Sequence, residues 1–188
     1  VHDLTAITAL GGAEARVDRH GGVTLAENSD LALSSVAARL GQEETCAENL
    51  TRLLGAAPPA PGKALLSDPL SAVWMGPDQW MIGADYQAHE TLAQTCKDVL
   101  KSSASVTEQS DAWVCFDLSG AGIQMVMELL CNIDHRRMEP GDATRTSIHH
   151  LGCFVVCGEP DAFVRILGPR ASAGSLHHAL LTAMHSAL

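Results

Sequence analysis

Several things are scarce in this chain of 188 residues, and each scarcity excludes something. Aromatic side chains make up only 4%: three Trp, one Tyr and three Phe. Basic side chains are few as well, 12 Lys and Arg against 22 Asp and Glu, for a net charge of −10. A protein that tracks phosphates needs the opposite sign, and one that binds single strands needs rings for bases to stack on, so no nucleic-acid partner is expected. No apolar run approaches the ~18 residues of a membrane span, so no membrane partner is expected either. The opening stretch "VHDLTAITALGGAEARVDRHGG" has no basic end followed by an apolar block, which reads as no secretory signal. The six cysteines form no C-x-x-C, so neither a redox pair nor a zinc knuckle is suggested. They read as free thiols in a reducing, cytoplasmic setting. Charged residues of all kinds reach only 18%, below the ~25% usual for soluble domains, a hint that another chain covers part of the surface.

What is present is a recurring order of strands and helices. "VTLAENSDLALSSVAAR" reads as two strands turning near Asn28 to Asp30. "QEETCAENLTRLLG" carries a helical stripe of Cys46, Ala47, Leu50, Leu53 and Leu54, with Gly55 as its stop. "AAPPAPG" is too proline-rich for helix or central strand. "AVWMGPDQWMIGA" predicts a hairpin, and "DYQAHETLAQTCKDVL" a helix capped by Asp85. The order then repeats. "SVTEQSDAWVCFDLSG" gives two strands, and "AGIQMVMELLC" a helix with Ser119 as its cap. "ATRTSIHHLGCFVVC" and "FVRILG" pair across the turn "GEPDA", and "SAGSLHHALLTAMHSAL" closes as a helix. Letters recur too: "VTLAENSD" answers "VTEQSD" and "GPDQWMI" answers "GEPDAFV", at a near-constant offset. The expected fold is α+β, a tandem duplication of ββαββα units about a pseudo-twofold axis. Residues 1–22 read as an N-terminal extension. Residues 23–188 read as a single domain of two pseudo-repeats, about 23–101 and 104–188.

The stretch "SIHHLGCFVVC" poses a metal question. On a helix, His149, Cys153 and Cys157 would stack on one face and begin a zinc site. The β-branched and aromatic "FVV", together with Gly152, favours strand. There His149 and His150 point to opposite faces, and Cys153 and Cys157 lie about 13 Å apart, too far for one ion or a disulfide. Buried thiols and a half-exposed histidine pair are the expectation, with no metal. His177 and His178 diverge by ~100° on the last helix and do not chelate together. No G-x-S-x-G elbow and no phosphate-binding loop occurs, and "GAG" at Gly120 to Gly122 reads as a tight strand-to-helix turn. Asp117, a lone carboxylate in an apolar strand, reads as a structural hydrogen-bond partner of the Ser119 region rather than a perturbed acid. Arg136, Arg137, Arg145 and Arg170 each flank a turn or a polar connection. Two readings of them stand level: forks that meet carboxylates at a protein interface, or solvated surface charge.

The segments "GVTLAENSDLALSSVAARLGQE", "WMGPDQWMI", "SVTEQSDAW", "RRMEPGDATRTSIHHLGCFVV" and "ILGPRASAGSLHHAL", in this order from Gly22 to the C-terminus, resemble the gamma subunits of heterotetrameric sarcosine oxidases. The resemblance implies a complex with alpha, beta and delta subunits. Such a complex demethylates sarcosine to glycine and reduces oxygen to hydrogen peroxide, with release of formaldehyde or formation of methylenetetrahydrofolate. It implies FAD, FMN and NAD on the larger chains, zinc on delta, and tetrahydrofolate as co-substrate, with no cofactor in gamma. It also implies a fold similar to the tetrahydrofolate-binding part of the glycine-cleavage T protein. A Gly-Gly-x-x-Asp-Asp segment of the kind that serves the folate site there is missing, and so is the barrel-like C-terminal domain. No catalytic residue is therefore carried over, and an accessory, non-catalytic chain is expected. The alternative is a stand-alone tetrahydrofolate-dependent aminomethyltransferase-like protein, with Asp117 or Glu108 as its candidate acids.

Overall fold

A computed structural model describes residues 5–188; the first four residues of the expected N-terminal extension lie outside the described residues. The described residues form eleven strands and four α-helices. In order these are β1 (Val17–His20), β2 (Val23–Asn28), β3 (Leu31–Ala38), α1 (Glu43–Leu54), β4 (Ala64–Leu65), β5 (Leu70–Gly76), β6 (Gln79–Asp85), α2 (Leu92–Leu100), β7 (Ala104–Glu108), β8 (Trp113–Ser119), α3 (Ile123–Leu130), β9 (Ala143–Ile148), β10 (Leu151–Glu159), β11 (Phe163–Pro169) and α4 (Ala173–Ala187). Among the described residues no helix is long and apolar enough to cross a membrane.

These elements make two antiparallel sheets, as an α+β fold requires. One has six strands in the order β1-β2-β8-β11-β10-β9, and the other five in the order β4-β5-β6-β3-β7. They belong to two compact units. One unit comprises residues up to Ser29, Ala112–Pro140 and Arg145–Leu188; the other comprises Asp30–Asp111 with Gly141–Thr144. Each sheet therefore draws on both parts of the sequence. β2 pairs with β8, and β7 pairs with β3. β1 lies in the stretch read as an extension and pairs with β2 from Val17↔Ala26 to His20↔Val23.

The core of each unit follows from strand alternation meeting a helical stripe. In the six-stranded unit, Val114, Phe116 and Leu118 of β8 and Val23 and Leu25 of β2 point to one face. Ile123, Val126 and Met127 of α3 and Leu176, Leu180 and Met184 of α4 close over them. In the five-stranded unit, Ala32 and Val36 of β3 and Trp80 and Ile82 of β6 meet Cys46 and Leu50 of α1 and Leu92, Cys96 and Leu100 of α2. Burying each such large side chain is worth roughly 1.5–3 kcal/mol. Gly55 ends α1 at φ 72°, in the left-handed region where the missing Cβ carries no penalty.

Three local expectations need correction. α2 begins at Leu92, not beside Asp85, because Asp85 completes β6 and its carboxylate accepts the Ala88 N–H in a turn of its own. Ser119 does not cap α3. Asp161, in the β10–β11 turn, accepts the backbone N–H groups of Gly122 and Gln124 on one oxygen, both at 3.1 Å. Third, Ala143 to Cys157 is not one strand but two. His149 and His150 form the turn between β9 and β10, at φ 48° and 67°. The two histidines therefore occupy a two-residue hairpin loop rather than opposite faces of a strand.

Candidate functional site

A polar cluster lies on the face of the six-stranded sheet away from α3 and α4. Register puts Asp117 of β8 between Ala26 of β2 and Arg165 of β11. The Arg165 guanidinium grips the Asp117 carboxylate with two hydrogen bonds, Nε to Oδ1 at 2.7 Å and Nη2 to Oδ2 at 2.8 Å. Asn28 Nδ2 adds a third, to Oδ2, at 2.9 Å. The side chains are only 25% and 17% exposed. Burial works to lower the arginine's pKa, but hydrogen bonds and charge from Asp117 outweigh it and the net shift is upward. Cys115, two residues along the same face, has its thiol pushed up by burial first and by Asp117 second. A thiol in that setting is not a nucleophile. The cluster is a clamp across three strands. Asp117 does not use Ser119 as expected; its partners are Arg165 and Asn28, residues far away in sequence.

A second paired carboxylate, Asp18 of β1, meets the imidazole of His177 on α4 at 2.8 Å. Arg16 donates to the same carboxylate and is the first cause of its lowered pKa, with His177 adding to the effect. No serine, threonine or cysteine hydrogen-bonds this imidazole among the described residues, so the pair lacks a nucleophile to activate.

His149, in its turn, lines a groove of about 540 Å³ with Leu129, Leu130, His178 and Ala179. Met125 and Leu129 of α3 stand exposed nearby. Cys153 and Cys157 are buried in β10, away from the turn. Among the described residues no three His, Cys, Asp or Glu side chains gather around a point that would hold a metal ion.

The four arginines singled out in the sequence do not converge on one site. Arg136 and Arg137 lie on a 3-10 turn, His135–Arg137, and pair with Glu128 at 2.7 Å and Asp134 at 3.3 Å. They border a cleft of about 450 Å³ that sequence reasoning missed, lined also by Ile133 and His135. Arg145 projects from the edge strand β9 and lies 5.8 Å from the centre of the Phe154 ring. Arg170 donates to the carbonyl of Ile7 at 3.2 Å. Glu108, the other candidate acid, accepts the Ser110 N–H at 2.6 Å.

No family model matches the chain, and no curated protein matches it. Solved structures do. A chain of heterotetrameric sarcosine oxidase from Corynebacterium sp. U-96 superposes with a TM-score of 0.73 at 22% identity, covering 87% of this chain and 84% of that one. The glycine cleavage system aminomethyltransferase T from Bartonella henselae superposes with a TM-score of 0.63 at 14% identity. That match covers 85% of this chain but only 45% of the aminomethyltransferase. The chain thus has the fold shared by a chain of heterotetrameric sarcosine oxidase and by the T protein, and its resemblance to the gamma subunit holds at the level of the fold.

Proposed function

We propose that this chain is the accessory gamma-type subunit of a heterotetrameric sarcosine oxidase, with alpha, beta and delta subunits as partners in the cytoplasm. The observation that carries this reading is the nearly end-to-end superposition on one chain of such an oxidase, 87% of this chain on 84% of that one. It is supported by what the polar side chains do. Asp117 is held by Arg165 and Asn28, Glu108 is hydrogen-bonded to the Ser110 N–H, and His177 has a carboxylate but no nucleophile. In this reading FAD, FMN, NAD and zinc reside on the other subunits, tetrahydrofolate is a co-substrate of the complex, and this chain holds none of them. Arg136, Arg137, Arg145 and Arg170 are proposed as contacts to the partners. The ββαββα order, read twice along the chain, is proposed to derive from a tandem duplication of about 23–101 and 104–188 whose leading strands, β2 and β7, have exchanged sheets.

The superposition on the T protein favours a second reading, a tetrahydrofolate-dependent transferase that works alone. Its two candidate acids already have partners, which ranks it below the first. One experiment separates them. Tagged chain co-expressed with its neighbouring reading frames should capture larger, yellow, flavin-bearing chains with sarcosine oxidase activity, while the chain alone stays colourless. A chain that never captures such partners, yet binds tetrahydrofolate at micromolar concentration in calorimetry, overturns the subunit assignment.

A further inference from the structure

The layer of α3 and α4 is short of charge. α4 has no Asp, Glu, Lys or Arg in its 15 residues, and α3 has only Glu128, which accepts hydrogen bonds from Gln124 and Arg136. α3 is also apolar on both sides. Ile123, Val126 and Met127 face the core, yet Met125 and Leu129, one turn apart on the other side, are 49% and 59% exposed. A helix with apolar residues all round belongs in an interior, and an exposed apolar surface depleted of charge is the mark of a protein contact. Leu129 continues into the groove of about 540 Å³ beside His149. Along α4 this groove is lined by His178, Thr182 and Ser186 in one row and by Ala179 and Ala183 in the next, at i, i+4 spacing. From His178 to Ser186 the trough runs roughly 12 Å along the helix axis. The two alanines leave room where longer side chains would fill it.

We propose that this trough and its Met125–Leu129 shoulder seat an amphipathic helix from one of the larger chains of the oxidase complex, an inference that rests on the subunit reading. The contacting face of that helix is apolar and uncharged. The trough offers no counter-ion, so a partner charge buried there would lose its hydration without compensation. Polar side chains at the margin of the partner helix can meet His149, His178 and Thr182, which are all exposed. A ligand confined to the trough would leave Met125 in water. A helix laid across α3 and α4 covers trough and shoulder together, and the alanine row lets it approach closely. Charge separates this occupant from a second copy of the chain. Each copy carries a net charge of −10, and like charge of that size opposes self-association. A partner without the same negative excess meets no such repulsion.

The test uses the full chain, tagged and co-expressed with its neighbouring reading frames. The double variant M125K/L129K alters two exposed side chains and should keep the fold, which an unchanged urea midpoint checks. Leu40→Lys, at a leucine 98% exposed in the other unit, is the control. The expected result is that M125K/L129K captures the larger chains about tenfold or more weakly than the unaltered chain, as the loss of two apolar contacts implies, while Leu40→Lys captures them normally. A photo-crosslinking residue in place of Thr182 should join the chain to an apolar helical segment of a larger chain, and this readout does not depend on the lysine variants. Equal capture by M125K/L129K and the control overturns the inference and leaves the subunit assignment standing. A crosslink from position 182 to a second copy, or within the chain itself, does the same. An unaltered chain that captures no larger chain removes the subunit assignment, and this inference with it.

Discussion

At the scale of single residues, two charges in otherwise apolar strands tie three strands of the six-stranded sheet together. Asp117 and Arg165 are each a lone charge in an apolar strand, "WVCFDLS" and "FVRILGP". The sequence reading singles out Asp117 but not Arg165, and only the antiparallel register of β8 and β11 makes them partners. The Arg165 guanidinium also lies 5.7 Å from the centre of the Phe163 ring, which adds a weak cation–π contact. Breaking a buried pair from one side leaves a charge without compensation, at a cost of about 3–5 kcal/mol when burial is complete. With these side chains 17% and 25% exposed, water relieves part of that, and about 2–3 kcal/mol is expected for Asp117→Ala. The double variant D117A/R165M should lose less than the sum of the two single variants, because no charge is then stranded. Urea denaturation of the four proteins in the cycle measures this, and strict additivity would mean the clamp contributes no coupling.

At the scale of elements, what was legible depended on whether the signal was local. α1 could be read because stripe, start and stop all lie within its own residues, ending in left-handed Gly55. The cap of α3 could not, because Asp161 arrives from a hairpin turn 39 residues away. The turn between β9 and β10 was hidden for a different reason. Its central residues are both histidine, with none of the Gly, Asn, Asp or Pro that usually announce a turn, although histidine does enter left-handed backbone more often than most residues. Approach to α3 is tight as well: a Cβ at Gly120 would lie 2.1 Å from the Gly22 carbonyl oxygen, so only glycine fits there. These facts give α3 a defined weak point. Asp161→Ala should destabilise the protein by about 1 kcal/mol, the usual worth of a helix cap, while Asp161→Asn keeps an acceptor oxygen and should cost less. Amide exchange should quicken first from Gly122 to Val126. Uniform acceleration across the six-stranded sheet instead would show that Asp161 acts on the hairpin and not on the helix.

At the scale of the whole molecule, the pairing of β2 with β8 and of β7 with β3 constrains how the chain reaches its fold. A duplication read from letters alone suggests two halves that each fold locally. The pairing says otherwise, since β2 pairs with β8 and β7 with β3. A fragment of residues 104–188 would lack β1 and β2, and with them Val23 and Leu25, both buried against Phe116 and Leu118 in one core. Losing those two side chains alone removes roughly 3–6 kcal/mol of apolar burial, a large share of the ~5–15 kcal/mol that holds a domain together. A fragment of residues 23–101 would keep β3 to β6 but lose β7, so β3 becomes an unpaired edge along Ser34 to Ala38. Its β2 would have no partner strand. Each fragment alone is therefore expected to show poorly dispersed amide spectra, and an equimolar mixture to recover the dispersion of the intact chain. The intact chain should unfold in a single urea transition, because each sheet loses a strand when the other part of the sequence lets go. A well-dispersed spectrum from 104–188 alone would mean that its own four strands of the six-stranded sheet and its two helices suffice. β1 and β2 would then be a late addition to an already stable body, not a condition of folding.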